Sequence, residues 1–399
     1  MSASDAPARP HPDFTAELSA VARRAPDSGI VAVMNYGRER RDLVRLWVGE
    51  GELPTPAFIC DAATRALAAG ETFYTYQHGL PELRQTIADY HTRLFGRPFA
   101  ADRFFATTSG MHAFNIALGL VVNPGEEVIV PSPTWPNVPA AVAVHGAVPR
   151  IVPIDYRDRR WVLDIDRIAA AIGPATRAIV LNSPANPTGW VADRAVLQAV
   201  LDLARQHGLW IIADEVYGRF SFGGERAPSF HDVADDADRV LWINTFSKNW
   251  AMTGWRLGWL EAPPEFAQPI ENLVQYSTSG LPAFLQRGAI AAMQHGDGFI
   301  AYQNERVRQA LGIVNDALAG ANRVTYAVPD GAFYLFMAVE GFDDTRELAF
   351  RLIDEAGVGL APGTAFGPGG ERFLRLCLAR SEAQIRQGAE RLHDWLMRT

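Results

Sequence analysis

The chain has 399 residues, room for two or three domains at a typical size of about 150. With 37 basic and 45 acidic residues its net charge is −8, which argues against nucleic acid or an anionic membrane as partner while leaving a small anionic ligand open. Cys60 and Cys377 alone exclude a disulfide framework, and the nine histidines show no HExxH or HxxxH spacing, so no metal is expected.

The opening MSASDAPARPHPDF reads as a disordered tail over residues 1–14, without the apolar core of a secretory signal. No apolar run approaches the roughly 18 residues that span a bilayer, so no membrane is expected and a cytoplasmic location is the default expectation. Residues 15–50, chiefly Val31–Trp47, are expected to join a smaller C-terminal unit. Between residues 51 and 285 short apolar runs alternate with helical patterns. Arg103–Thr107, Glu127–Val130, Arg177–Leu181, Leu209–Ala213 and Val240–Asn244 read as strands, several apolar throughout, as strands covered on both faces are. In ADRAVLQAVLDLARQHG, Leu197, Val200, Leu201 and Ala204 share a helical face and Gly208 supplies a stop. The expected fold is α/β, a mostly parallel central sheet with helices on both faces. Residues 286–399 read as a smaller α+β domain. Its strands are Asp330–Met337 and Arg372–Ala379, and its last helix begins at Ser381 with Ile385, Ala389, Leu392 and Leu396 on one face.

In an open α/β sheet, ligands bind beyond the carboxyl ends of the strands. Four strand ends carry polar groups: Thr108-Ser109-Gly110-Met111, NSPANPTG (182–189), Asp214-Glu215-Val216-Tyr217, and Thr245-Phe246-Ser247-Lys248 followed by MTGWRLGW. Ser109-Gly110 opens a helix, where free N–H groups and the positive dipole end suit a phosphate. Asp214 ends an apolar strand and needs a cationic or N–H partner. Lys248 stands among Phe246, Trp250 and Met252, and desolvation lowers an amine's pKa and makes it a usable nucleophile. Arg256 offers a second cation for the same phosphate. Taken singly, each also fits a structural role: an ordinary cap, an ion pair, a solvent-facing lysine, a paired arginine. Arg375, in the apolar strand RFLRLCLA, needs a carboxylate, from the protein or from a ligand.

These pieces in this order resemble the class I/II aminotransferases of the fold-type I pyridoxal-phosphate enzymes, the aspartate-aminotransferase-like family. NSPANPTG, ADEVY, TFSKNWAMTGWRLGW, YTYQHGLPELR, PGTAFGPGG and RFLRLCLA carry the resemblance, from about Leu46 to the C-terminus. It implies pyridoxal 5′-phosphate as cofactor, held by Lys248 as internal aldimine. Asp214 would pair with the ring nitrogen, and Asn186 and Tyr217 would bond the phenolic oxygen. Trp135 would stack on the ring, while Ser109, Gly110, Met111, Ser247 and Arg256 would hold the phosphate. Tyr74 would reach the phosphate of a neighbouring subunit, making the active unit a homodimer. Arg375 would grip the substrate carboxylate, with Gly49 and Asn186 beside it. The early loop VGEGELPTP departs from the family's usual GEPDF-like run, and no second arginine for a dicarboxylate is assignable. Trp47, Tyr76 and Trp250 fit either an apolar substrate pocket or the core.

The resemblance implies ping-pong transfer of an amino group from an L-amino acid to a 2-oxo acid. Lys248, Asp214 and Tyr217 would be the catalytic residues. The alternative is an α/β-elimination lyase of the same fold, since one scaffold hosts several outcomes.

Overall fold

The fold comes from a computed structural model, which describes residues 13–398. The tail expectation for residues 1–14 therefore falls almost wholly outside the described residues.

Seven strands form the central sheet: β1 (Phe104–Thr107), β2 (Glu127–Ser132), β3 (Val148–Pro153), β4 (Thr176–Asn182), β5 (Trp210–Asp214), β6 (Val240–Thr245) and β7 (Gly258–Glu261). Their order is β1-β7-β6-β5-β4-β2-β3. Neighbours pair parallel throughout, except that β7 runs antiparallel to both β1 and β6. The sheet is thus mostly parallel, as its apolar strands imply.

Both faces are buried. Ile179, Leu181, Ile211 and Ala213 point into one apolar cluster, and the alternating Ala178, Val180 and Ile212 into another. Helix Arg194–His207 covers the first face through Leu197, Val200, Leu201 and Ala204; its cap is Asp193, which accepts from Val196 N at 2.8 Å. Helix Gly110–Val121 covers the second with Phe114, Ala117 and Leu118.

Two strands, β3 and β7, were not foreseen. β3 is VPRIVP, and prolines at 149 and 153 disguise it; it lies at the sheet edge, where a missing donor is tolerated. β7 is only four residues long; it begins at Gly258, near the end of MTGWRLGW, and runs on through Leu260 and Glu261.

A second sheet follows, built from β8 (Val324–Tyr326), β9 (Tyr334–Val339), β10 (Ala361–Pro362) and β11 (Phe373–Cys377), antiparallel in the order β8-β9-β11-β10. β9 starts later than the sequence suggests. Asp330 and Gly331 instead bond through their N–H groups to the Gly189 carbonyl, both at 3.0 Å, and Ala332 takes a φ of 56°. From the N-terminal segment, Val44–Arg45 pairs in parallel with Val358–Gly359, and the Leu46 carbonyl accepts from Cys377 N. Helix Glu382–Arg398 buries Ile385, Ala389, Leu392 and Leu396, and Ser381 Oγ caps it by accepting from Gln384 N at 3.3 Å. No helix among the described residues is long and apolar enough to cross a membrane.

Candidate active site

Parallel strands β4, β5 and β6 end level, with Asn182 in register with Asp214 and Asp214 with Ile243. Whatever follows each strand therefore arrives at one edge. Beyond that edge lies a cavity of about 400 Å³, and Asn186, Asp214, Tyr217, Ser247, Lys248 and Arg256 all line it. The second sheet and the N-terminal segment close it with Arg375 and Gly49.

Lys248 sits in a short helical turn, Phe246–Asn249, one step past β6. Its Nζ donates to the Gly49 carbonyl at 2.7 Å and has no carboxylate within ion-pair distance among the described residues. Burial, with Arg375 nearby, lowers the amine to about 8, so a useful fraction is uncharged near neutral pH. The rings closest to Nζ are those of Tyr217 and Phe333, at 5.8 and 5.9 Å to their centroids. Phe246, Trp250 and Met252, from the same stretch of chain, are buried in an apolar cluster.

Asp214 is buried at the end of β5. Its carboxylate accepts one long hydrogen bond, from Val216 N to Oδ1 at 3.4 Å, and no cation pairs with it among the described residues. Burial raises its carboxyl to about 7. A cationic N–H brought into the cavity would reverse that shift and hold Asp214 ionised.

Arg375 is 2% exposed, on β11 opposite Phe336. Nη1 donates to Asn186 Oδ1 at 2.8 Å and Nη2 to the Trp47 carbonyl at 2.6 Å, while Nε has no partner. Tyr334 and Phe366 pack on the guanidinium at 4.6 and 4.8 Å to their ring centroids. No protein carboxylate pairs with it among the described residues, which leaves a ligand carboxylate as the partner its charge calls for. Asn182 sets Asn186 in place: its Oδ1 accepts from Asn186 N at 2.9 Å, and its Nδ2 donates to the Asp214 carbonyl at 3.1 Å.

At the other end of the cavity, helix Gly110–Val121 begins. Ser109 caps it, accepting from His112 N at 3.0 Å, while Gly110 and Met111 form the cavity wall. Gly258 of β7 lets this loop approach, because a Cβ there would stand 2.7 Å from Gly110 N. Ser247 Oγ lies 3.0 Å from Thr245 Oγ1. Arg256, held with φ of 55°, donates to the Thr253 carbonyl at 2.7 Å and has no carboxylate partner among the described residues. The arginine, the hydroxyls and the helix's positive end are groups of the kind that suit an anion. Trp135 adds a partly exposed ring to the wall.

One expected residue is not brought in. Tyr74 is 92% exposed and lies outside the cavity of its own chain. Trp47 and Trp250 are core residues, and Tyr76 is 62% exposed, so within the single chain these three do not line one pocket. The sequence reading also missed Tyr334, whose hydroxyl lies 2.7 Å from that of Tyr217. In DGAFYLFM it looks like one more core aromatic; only the pairing of β9 with β11 sets it beside Arg375.

Away from the cavity, His91, His231 and Glu261 gather their donor atoms within 4.8 Å. Glu261 is already compensated by Arg103 and His231, each at 3.1 Å, and Arg97 approaches His231 Nδ1 at 3.3 Å.

Residues 41–392 match the family described as aminotransferase class I and II. An arginine–pyruvate transaminase of Pseudomonas aeruginosa is 32% identical over 382 residues, covering 95% of this chain and 96% of its own. An aspartate aminotransferase of Geobacillus stearothermophilus is 31% identical, covering 92% and 96%. Among solved structures, a Thermus thermophilus aspartate aminotransferase mutant superposes with a TM-score of 0.88 at 33% identity, covering 94% of this chain and 99% of its own.

Proposed function

Because the chain belongs to the class I and II aminotransferases, of fold type I, we propose that it moves an amino group from an L-amino acid to a 2-oxo acid with pyridoxal 5′-phosphate held at Lys248. The observation that carries this reading is the meeting, in one cavity, of an amine, a carboxylate and a guanidinium that each lack an ionic partner among the described residues. The named relatives are aminotransferases, so an elimination lyase is not carried forward.

The residues fit the cofactor. Asp214, a buried carboxylate with no cation, suits a protonated pyridine nitrogen. The first turn of helix Gly110–Val121, with Ser109, Ser247 and Arg256, suits a phosphate dianion. Asn186 and Tyr217 would face the ring oxygen, and Trp135 the ring. Bound there, the cofactor supplies an electron-withdrawing ring that accepts the electron pair left when Cα loses its proton.

The chain's own groups do the rest. Arg375, already backed by Asn186 and Trp47, grips the α-carboxylate and so fixes which Cα bond stands ready to break. Lys248 Nζ, lowered to about 8, takes the Cα proton as general base and returns one as general acid. Asp214 holds the proton on the ring nitrogen. Donor and acceptor use the same site in turn, which gives ping-pong kinetics.

The assembly is a homodimer in this reading, with Tyr74 reaching the neighbour's phosphate. Tyr74, Tyr76 and Tyr276 are 92%, 62% and 89% exposed, on loops tied together by Gln77 and Gln275 at 2.7 Å. Residues 51–285 would form the cofactor-binding domain, and residues 15–50 with 286–399 the smaller part.

Borohydride reduction of the chain loaded with pyridoxal phosphate, followed by peptide mass spectrometry, tests the reading. Lys248 should carry the reduced adduct; an unmodified Lys248 overturns the assignment.

A further inference from the structure

The charges at the cavity also decide what side chain a substrate can bring. Among the described residues the wall's cations are Lys248, Arg256 and Arg375. Under the reading above, on which this inference rests, all three are committed: to the cofactor's aldehyde, its phosphate and the substrate's α-carboxylate. None is left for a second carboxylate. The loops placed against the neighbouring subunit bring none either, since GETFYTYQHG (70–79) and YSTSGLP (276–282) contain no lysine or arginine.

What the wall offers instead is apolar. Helix Gly29–Gly37 contributes Ile30, Val31 and Met34 to the cavity, with Ile30 and Met34 one turn apart on the same face. The acidic side chain still unassigned is Glu50, whose carboxylate accepts from the Thr253 hydroxyl and lines the same cavity. A substrate carboxylate set here would lose water, gain no cation and meet a like charge. An aliphatic or aromatic group would lose only its contact with water.

We propose that the substrates are 2-amino acids and 2-oxo acids with uncharged, apolar side chains. Helix Gly29–Gly37 is the specificity wall, and dicarboxylates are selected against. This sets the chain apart from the aspartate aminotransferases it resembles, although the fold and the lysine are shared.

The test is a donor panel with the holoenzyme, read as conversion of the cofactor's visible absorbance in single half-reactions. Leucine, methionine and phenylalanine are compared with aspartate, glutamate and arginine. The best apolar donor should exceed aspartate and glutamate by at least a hundredfold in kcat/KM. Met34→Arg and Val31→Arg should each narrow that ratio by tenfold or more. Aspartate, glutamate or arginine matching the best apolar donor overturns the inference while leaving the aminotransferase reading intact. An unchanged ratio in both variants removes the helix as the wall. No amino transfer from any donor overturns both readings together.

Discussion

The hydroxyls of Tyr217 and Tyr334 stand 2.7 Å apart, one donating and the other accepting. Burial raises both phenols above their ordinary value, so both keep their protons. If Tyr334 donates, the proton of Tyr217 is free to point at the ring oxygen of a bound cofactor. The arrangement also explains Gly49: a Cβ there would come within 2.6 Å of the Tyr334 oxygen. Tyr334→Phe should therefore lower kcat roughly tenfold, about 1.4 kcal/mol of transition-state stabilisation, while Lys248 still captures the cofactor. Unchanged kcat would remove Tyr334 as a positioning residue.

Asp214 predicts a pH effect on the cofactor-free chain. Its folded value of about 7 lies above the ordinary 3.8. Between those limits the folded chain holds a proton that the unfolded chain releases, so stability falls as pH rises through that window and levels off above it. The loss is on the order of a few kcal/mol at about 1.4 kcal/mol per unit. Asp214→Asn should melt higher than wild type at pH 8 without cofactor, and gain less from added pyridoxal phosphate. Equal melting temperatures at pH 5 and pH 8 in cofactor-free wild type would contradict this.

Much of the site was legible in the sequence because each parallel strand is an apolar run that stops at a polar residue. β4, β5 and β6 could be counted, and their ends, Asn182, Asp214 and Thr245, marked one sheet edge. β3 was hidden because prolines break the apolar pattern without breaking an edge strand. The aromatic rings near Lys248 Nζ were not legible in the sequence, for a related reason. Phe246, Trp250 and Met252 are close in sequence, but a helical turn sends them into the core, and residues 217 and 333 come to the amine from afar. Ile30, Val31 and Met34 carried no signal of their own, since an apolar helix face reads as core until the cavity beneath it is seen.

His91 gives a stability prediction independent of catalysis. It is buried among Phe95, Phe99, Phe104 and Trp259, and burial drives its imidazole down to about 3. Its contribution is full above the ordinary value of 6.5. Below that the unfolded chain takes up a proton the folded chain refuses, so stability shrinks as pH falls toward 3, by about 1.4 kcal/mol per pH unit. His91→Phe keeps a ring in the nest and removes the proton. Urea midpoints between pH 6 and pH 5 should fall less steeply in that variant; an equal slope would place the acid sensitivity elsewhere.

Arg375 supplies the sharpest test of substrate binding. Its guanidinium has two donors fixed by Asn186 and Trp47, an unpaired Nε and aromatic rings on its flanks. A lysine keeps the charge but cannot reproduce the planar fork that meets a carboxylate with two parallel bonds. Arg375→Lys should therefore lower kcat/KM for amino acids roughly a hundredfold, about 2.7 kcal/mol, with a much smaller change in melting temperature. An amine with the same side chain and no carboxylate should react equally with wild type and variant, because neither has anything to grip. Amino-acid kinetics unchanged by the substitution would mean that the carboxylate is held elsewhere, and Arg375 would then be a structural cation between Asn186 and Trp47.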